Sequence, residues 1–369
     1  MNVVAAHLQL ETRSPPVGLD GPHAIRTHLG WCLIGPISSK LEKRIQFSAD
    51  PPTPQFNYCT ADSILQDLVH QSMKIEAMGV KYDNASLLSA EEQRAIDIVE
   101  RTTCFTGERY EAGLPWKDDN ISLPSNREVA FRMLQSVERR NAKDPVYAAH
   151  YDDIKMDSVR LGFAREVAEE ELQIQHPREW YITHHGVKHP HKPGHIRVVF
   201  NGSFEYKGIS LNKSLLPGPN LLNDLIACLT RFRQRPIAVT ADVAKMFYQV
   251  GVMKSDQPSL RYLWRTPGSK GPPRTFQLMV QPYGAVSSPF VCTHILRRAA
   301  KDFSQQYPEA AQRILSNFYV DNYLDSFNTV EEATAVCQQL MELHKKAGFH
   351  LTQWLSSSRE LLSNLPSSD

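Results

Sequence analysis

Residues 317–327 read Asn-Phe-Tyr-Val-Asp-Asn-Tyr-Leu-Asp-Ser-Phe, a β-branched and aromatic run broken by Asp321-Asn322, the dipeptide a tight hairpin turn uses. Such a run predicts two strands folded back on each other. Further upstream, Pro236-Ile-Ala-Val-Thr-Ala-Asp242 reads as a short buried strand that ends in a carboxylate and leads into Lys245-Met246-Phe247-Tyr248. An acid at a strand end and an acid at a hairpin tip can face each other on neighbouring strands, whatever their separation in sequence.

Two acids so placed can hold metal. Phosphoryl transfer by two cations needs carboxylates that bring the ions to about 3.5–4 Å of each other, and Mg²⁺ or Mn²⁺ takes oxygen ligands of this kind. Asp242 and Asp321 are therefore the candidate catalytic and metal-binding acids. Taken singly, a strand-end Asp is more often a helix cap or turn former.

The formal net charge of +1 hides an asymmetry. From Tyr181 to Lys301 there are seventeen Lys and Arg against four acids, Glu205, Asp224, Asp242 and Asp256. Such a stretch suits a polyanion held through phosphate contacts, the alternative being a generic basic surface. The six cysteines are scattered without a CxxC pair, so neither a zinc module nor a disulfide framework is indicated. Met1-Asn-Val-Val-Ala-Ala-His lacks a signal-peptide pattern, and no apolar run approaches membrane-spanning length. A reducing compartment, cytoplasmic or nuclear, and no membrane partner are expected.

Elsewhere the chain mixes helices and hairpins. Ser125 with Glu128 reads as a capping box opening a helix with Val129, Met133, Leu134 and Val137 on one face. A second helix is expected over 146–171. Tyr181-Ile-Thr183 and His195–Phe200 predict a β-hairpin with a basic tip, followed by loops and a short helix over 221–232. Strands are expected at Arg261–Trp264 and Arg274–Val280, and a helix begins at Ser287-Ser288-Pro289. Thr329 with Glu332 caps a last helix that stops at Gly348. Hairpins rather than βαβ repeats predict an α+β fold, an antiparallel sheet with helices packed on one face.

Several side chains suit a nucleotide. Arg197 can pair with triphosphate oxygens, with Lys192 as a second donor. Phe247 can lie under an incoming sugar and exclude a 2′-hydroxyl by volume, or be a core aromatic. Gly284 permits close approach of a nucleotide or template base, and Tyr283 offers a stacking surface. His184, His185, His189, His191 and His195 raise a metal-site alternative, with no Cys nearby and no common zinc spacing.

In order, Ile196-Arg-Val-Val-Phe-Asn201, Ser210-Leu-Asn212, Gly218-Pro219, Arg231-Phe-Arg233, Ala241-Asp-Val-Ala-Lys-Met-Phe247, Leu263-Trp-Arg265, Tyr283-Gly284, Ser288-Pro289, Tyr319-Val-Asp321 and Gly348-Phe-His-Leu351 with Trp354 resemble a reverse transcriptase. More narrowly, this co-linear series over about 60–369 resembles the polymerase of BEL/Pao long-terminal-repeat retrotransposons. Upstream, Gly21-Pro-His-Ala24, Thr27-His-Leu-Gly-Trp31 and Gly35-Pro36 look like the tail of the aspartic protease preceding such polymerases, although no Asp-Thr-Gly or Asp-Ser-Gly occurs.

The resemblance implies a protease-tail remnant and linker over 1–60, an N-terminal helical region over 61–179, and reverse-transcriptase fingers and palm over 180–369. It also implies dNTPs and primer-template RNA or DNA as partners, two Mg²⁺ or Mn²⁺ ions, and a location in the cytoplasm, a virus-like particle or the nucleus. It assigns Asp242 and Asp321 to metal, Phe247 to a steric gate, Arg197 to the triphosphate, and Tyr283-Gly284 to the nucleotide pocket. Three positions depart from the family pattern: Asn322, which the resemblance makes the third catalytic position and where a second acid is usual, Asn201 where Asp is common, and Thr352-Gln353 where a basic residue precedes Trp354. A thumb, RNase H and integrase would follow residue 369, so a fragment with impaired or lost DNA synthesis is expected. The alternatives are a non-catalytic nucleic-acid-binding relic and a protein-interaction module built on the helical region.

Overall fold

The computed structural model describes residues 10–14, 23–27, 30–34, 88–188 and 196–366. The chain divides into two compact units, Met1–Lys81 and Tyr82–Asp369. In the first, β1 (Glu11–Arg13), β2 (His23–Thr27) and β3 (Gly30–Ile34) form an antiparallel meander. These strands are too short for alternation to announce them.

The second unit opens with α1 (Ala90–Thr102), β4 (Cys104–Phe105) and β5 (Tyr110–Ala112). Helix α2 (Arg127–Asn141) follows, but Ser125 does not cap it. The N-cap is Asn126, whose amide turns inward, donating to the Tyr181 carbonyl and accepting from the Tyr181 N–H, both at 2.8 Å. The expected helix over 146–171 is shorter: α3 (Pro145–Arg160) ends where Gly162 takes φ 70°. There the Gly162 N–H donates to the Val159 carbonyl and the Phe163 N–H to that of Ser158, the paired bonds of a Schellman stop. The chain continues as β6 (Ala164–Glu166) and α4 (Glu169–Leu172).

The expected basic hairpin is β7 (Thr183–Lys188) with β8 (Ile196–Asn201). After α5 (Leu211–Ser214) and α6 (Leu225–Phe232) come β9 (Ile237–Val243), a 3-10 turn Met246–Gln249 and β10 (Gly251–Val252). Then follow β11 (Arg261–Trp264), β12 (Arg274–Leu278), α7 (Ser288–Asp302) and α8 (Pro308–Asn317). The chain closes with β13 (Phe318–Tyr319), β14 (Asn322–Phe327), α9 (Val330–Lys346), β15 (Leu351–Ser356) and α10 (Arg359–Ser363). The fold is α+β.

A four-stranded sheet has order β13-β14-β9-β15 and is antiparallel throughout. Side chains alternate across it. Val239, Ala241 and Val243 of β9 face a core shared with Ile295 of α7, Ile314 of α8 and Leu340 of α9. Thr240 and Asp242 therefore leave the opposite face, away from the helices. A second core gathers Tyr151, Trp180, Phe200, Tyr262 and Trp264. It encloses Lys155, whose Nζ lies 4.2 Å from the Phe200 ring centre and 4.0 Å from that of Tyr262. Burial pushes this amine well below the usual lysine range.

Candidate active site

Asp242 and Asn322 are direct cross-strand partners on β9 and β14. The Val243 N–H donates to the Asp321 carbonyl at 2.8 Å just beyond them, so theirs is the non-hydrogen-bonded kind of pair, whose side chains stand closest. On the other flank Thr352 of β15 faces Asp242, so three polar residues cross the sheet in one row.

Asp321 lies in the hairpin turn, as expected, but the turn is one residue earlier than Asp321-Asn322. Tyr319 pairs with Asn322, leaving Val320-Asp321 as the two-residue connection. Val320 has φ 57°. A two-residue hairpin turn demands positive φ at its first position, and the slot falls on a β-branched residue rather than on the Asx pair. Asn322 is freed to enter the strand opposite Asp242, and its Nδ2 donates to Asp321 Oδ1 at 2.9 Å.

The two carboxylates sense one another. Partial burial, and then the charge of Asp321, raise the Asp242 carboxyl above the ordinary aspartate range. Two half-buried acids with that mutual repulsion are a donor set suited to a divalent cation, which would relieve the repulsion. Among the described residues, no group of three or more His, Cys, Asp or Glu side chains gathers as a metal cluster. The side-chain oxygens nearby are the two carboxylates, the neutral Asn322 amide and, on the other flank, the Thr352 hydroxyl.

The nucleotide-site candidates gather around Tyr283, which is 39 % exposed. Its phenol is pushed up to about 12, first by burial, then by the charges of Asp321, Cys292 and Asp242, against the pull of Arg197. One ring thus lies within the fields of both acids and of Arg197, which is exposed on β8 across from Val187. Phe247 packs on the same ring at 4.6 Å between centres, and Tyr248 at 5.4 Å. Lys192 lies outside the described residues, as do His189, His191 and His195.

Gly284 has a role that sequence assigned to a ligand. At φ 109°, a Cβ there would stand 1.9 Å from the Phe200 carbonyl oxygen, so glycine is needed for the turn to meet β8. Asn212 ties the same junction, donating to the Gly284 carbonyl at 3.0 Å and to Ser203 Oγ at 2.9 Å, and accepting from the Val286 N–H at 2.9 Å. Ser210-Leu-Asn212 belongs to the motif series, but sequence alone gave Asn212 no task.

One alternative loses a member and one expectation is qualified. His184 is buried with both ring nitrogens engaged, Nδ1 with the Tyr151 hydroxyl at 2.7 Å and Nε2 with the Leu263 carbonyl at 3.0 Å, so it is unsuited to bind metal. The basic surplus is also partly internal. Buried Arg261 pairs with Glu179, Arg265 with Glu138 at 2.6 Å, Arg235 with Glu332 at 3.1 Å and Arg274 with Glu166 at 2.9 Å. All four acids lie outside the basic stretch, so four of its seventeen cations are paired with other parts of the chain, Arg261 in the interior and Arg274 at the surface. Among the described residues, no helix is long and apolar enough to cross a membrane.

No protein-family model matches the chain, and no curated protein matches its sequence.

Proposed function

We propose that residues 180–369 are the fingers and palm of a BEL/Pao-type reverse transcriptase, acting in RNA- or DNA-templated DNA synthesis. The observation that carries this reading is a hairpin-turn acid, Asp321, whose charge acts on Asp242 at the sheet face opposite the helices, with Tyr283 in the field of both acids and of Arg197. Asp242 and Asp321 would hold the cations. Bound divalent cations supply activation of the primer 3′-oxygen and neutralisation of the triphosphate. Arg197 pairs with phosphate oxygens, Phe247 on Tyr283 forms a floor under the sugar, and Gly284 with Asn212 fixes that floor against β8.

Asn322 favours a second reading, a nucleic-acid-binding relic without catalysis. Its amide supplies no charge and occupies an oxygen of Asp321. Primer extension on a homopolymer template, in Mg²⁺ and in Mn²⁺, tests the first reading. Synthesis by the native chain that Asp242→Ala abolishes supports the polymerase. Retained filter binding of primer-template with no synthesis under either metal supports the relic.

A further inference from the structure

A cavity of about 1110 Å³ begins two residues past Asp242, at Ala244-Lys245. It is at least as roomy as an ordinary small-molecule pocket, at roughly 300–1,000 Å³. Arg109, Lys245, Lys345 and Lys346 line it, together with the rings of Phe105 and Phe303. Two acids, Glu108 and Glu342, also line it and leave the cations in excess.

The cations come together for structural reasons. Gly348, at φ 83°, ends α9, and a Cβ there would stand 2.6 Å from the Glu108 carbonyl oxygen and 2.9 Å from Arg109 Cα. The β4–β5 turn therefore leans directly on the helix end and sets Arg109 beside the last turn of α9. The Ala244 N–H donates to the His350 carbonyl at 2.9 Å, which brings in the other wall. Lys245 takes the left-handed φ of 48° and carries its Nζ to 5.5 Å from the Phe163 ring centre. Lysines at a helix C-terminus complement the helix dipole, which accounts for Lys345 and Lys346. It does not account for Arg109, Lys245 or the apolar rings.

Phe105 is 42 % exposed and meets Phe303 edge-on at 6.3 Å. Exposed rings interleaved with unlike-spaced cations are the means by which single strands are held, bases on aromatic faces and phosphates on Lys and Arg. We propose that this cavity binds a segment of single-stranded nucleic acid, its phosphates on Arg109, Lys245 and Lys345 and a base against Phe105. The site is distinct from the acid pair and needs no catalysis to operate.

The test is fluorescence anisotropy of a short labelled oligo(dT) with the full chain over a salt series. The joint variant Arg109→Gln/Lys345→Gln should weaken binding by roughly tenfold or more and lower the salt slope by about 1.4, two phosphate contacts at about 0.7 each. Phe105→Ala should weaken binding by about fivefold or more with the salt slope kept, because stacking releases no counterions. All three side chains are at the surface or half-exposed, and unchanged thermal midpoints verify folding. Because DNA synthesis is not the readout, the result is separate from the fate of the polymerase reading. Native binding by the joint variant overturns the proposal, as does loss of binding on Arg197→Gln alone, which would put the strand on β8. Displacement by dTMP as effective as by unlabelled oligo(dT) would also overturn it, in favour of a free-nucleotide site.

Discussion

Asn322 of β14 stands directly opposite Asp242 of β9 and donates its amide N–H to Asp321 Oδ1, so one neutral side chain neighbours both candidate metal acids. An aspartate there would place a third negative charge beside the pair. At an effective dielectric of about 20, a unit charge some 4 Å from a divalent cation is worth roughly 8 kcal/mol gross, partly offset by desolvation. On the proposed reading, this position would govern how strongly the hairpin holds cations.

Gly284→Ala should be among the more damaging single changes at the site. The methyl would stand 1.9 Å from the Phe200 carbonyl oxygen on a backbone at φ 109°, so the turn and β8 must part and the Asn212 bonds with them. A loss of about 2 kcal/mol or more in urea unfolding is expected. Native-like stability would mean that the turn is not pressed on β8.

Val320→Gly should act in the opposite sense. Valine at φ 57° is held in a conformation that costs about 1–2 kcal/mol for a residue with a Cβ, whereas glycine adopts it freely. A gain of about 1 kcal/mol in the same unfolding experiment is expected. A loss would mean that the valine side chain contributes more by packing than its backbone strain costs.

His344 makes stability sensitive to acid. Burial in α9 pushes its imidazole down from the usual 6.5 to about 4, and its Nδ1 sits 2.7 Å from the Leu340 carbonyl. The folded-state value is depressed, so the stabilisation is present above pH 6.5 and is lost as pH falls toward about 4. The loss across that window is roughly 3 kcal/mol. His344→Leu should flatten urea midpoints measured over this range relative to the native chain, and an unchanged slope would exclude His344 as the source.

Much of this architecture was legible. Helix α9 could be read from Thr329 through Gly348 because cap, apolar stripe and stop agree, and the Thr329 hydroxyl does accept from the Glu332 N–H at 3.2 Å. The hairpin of β11 and β12 and the strand ending in Asp242 were equally plain, since aromatic and β-branched runs between turns have one reading. What escaped was set by tertiary contact. Asn126 displaced Ser125 as the cap residue because its amide serves Tyr181, and no local pattern records that. The hairpin register slipped by one because the pairing of β14 with β9 fixes Asn322 in the strand, overriding the turn preference of Asp-Asn. Gly162 was a visible stop for α3, masked by the acidic helix-forming run that follows it. The nearness of Asp242 and Asp321 could be anticipated from an acid at a strand end and an acid in a hairpin turn. Asn212 could not, because its three bonds join segments far apart in sequence.

The most direct measurement compares primer extension by the native chain and by Asn322→Asp, in Mn²⁺ and in Mg²⁺, each with and without Asp321→Ala. The account predicts that Asn322→Asp extends primer at least roughly tenfold faster than the native chain, the added charge being worth more than 1.4 kcal/mol, and that Asp321→Ala removes synthesis from both. Equal rates for the native chain and Asn322→Asp, or synthesis that survives Asp321→Ala, would contradict it.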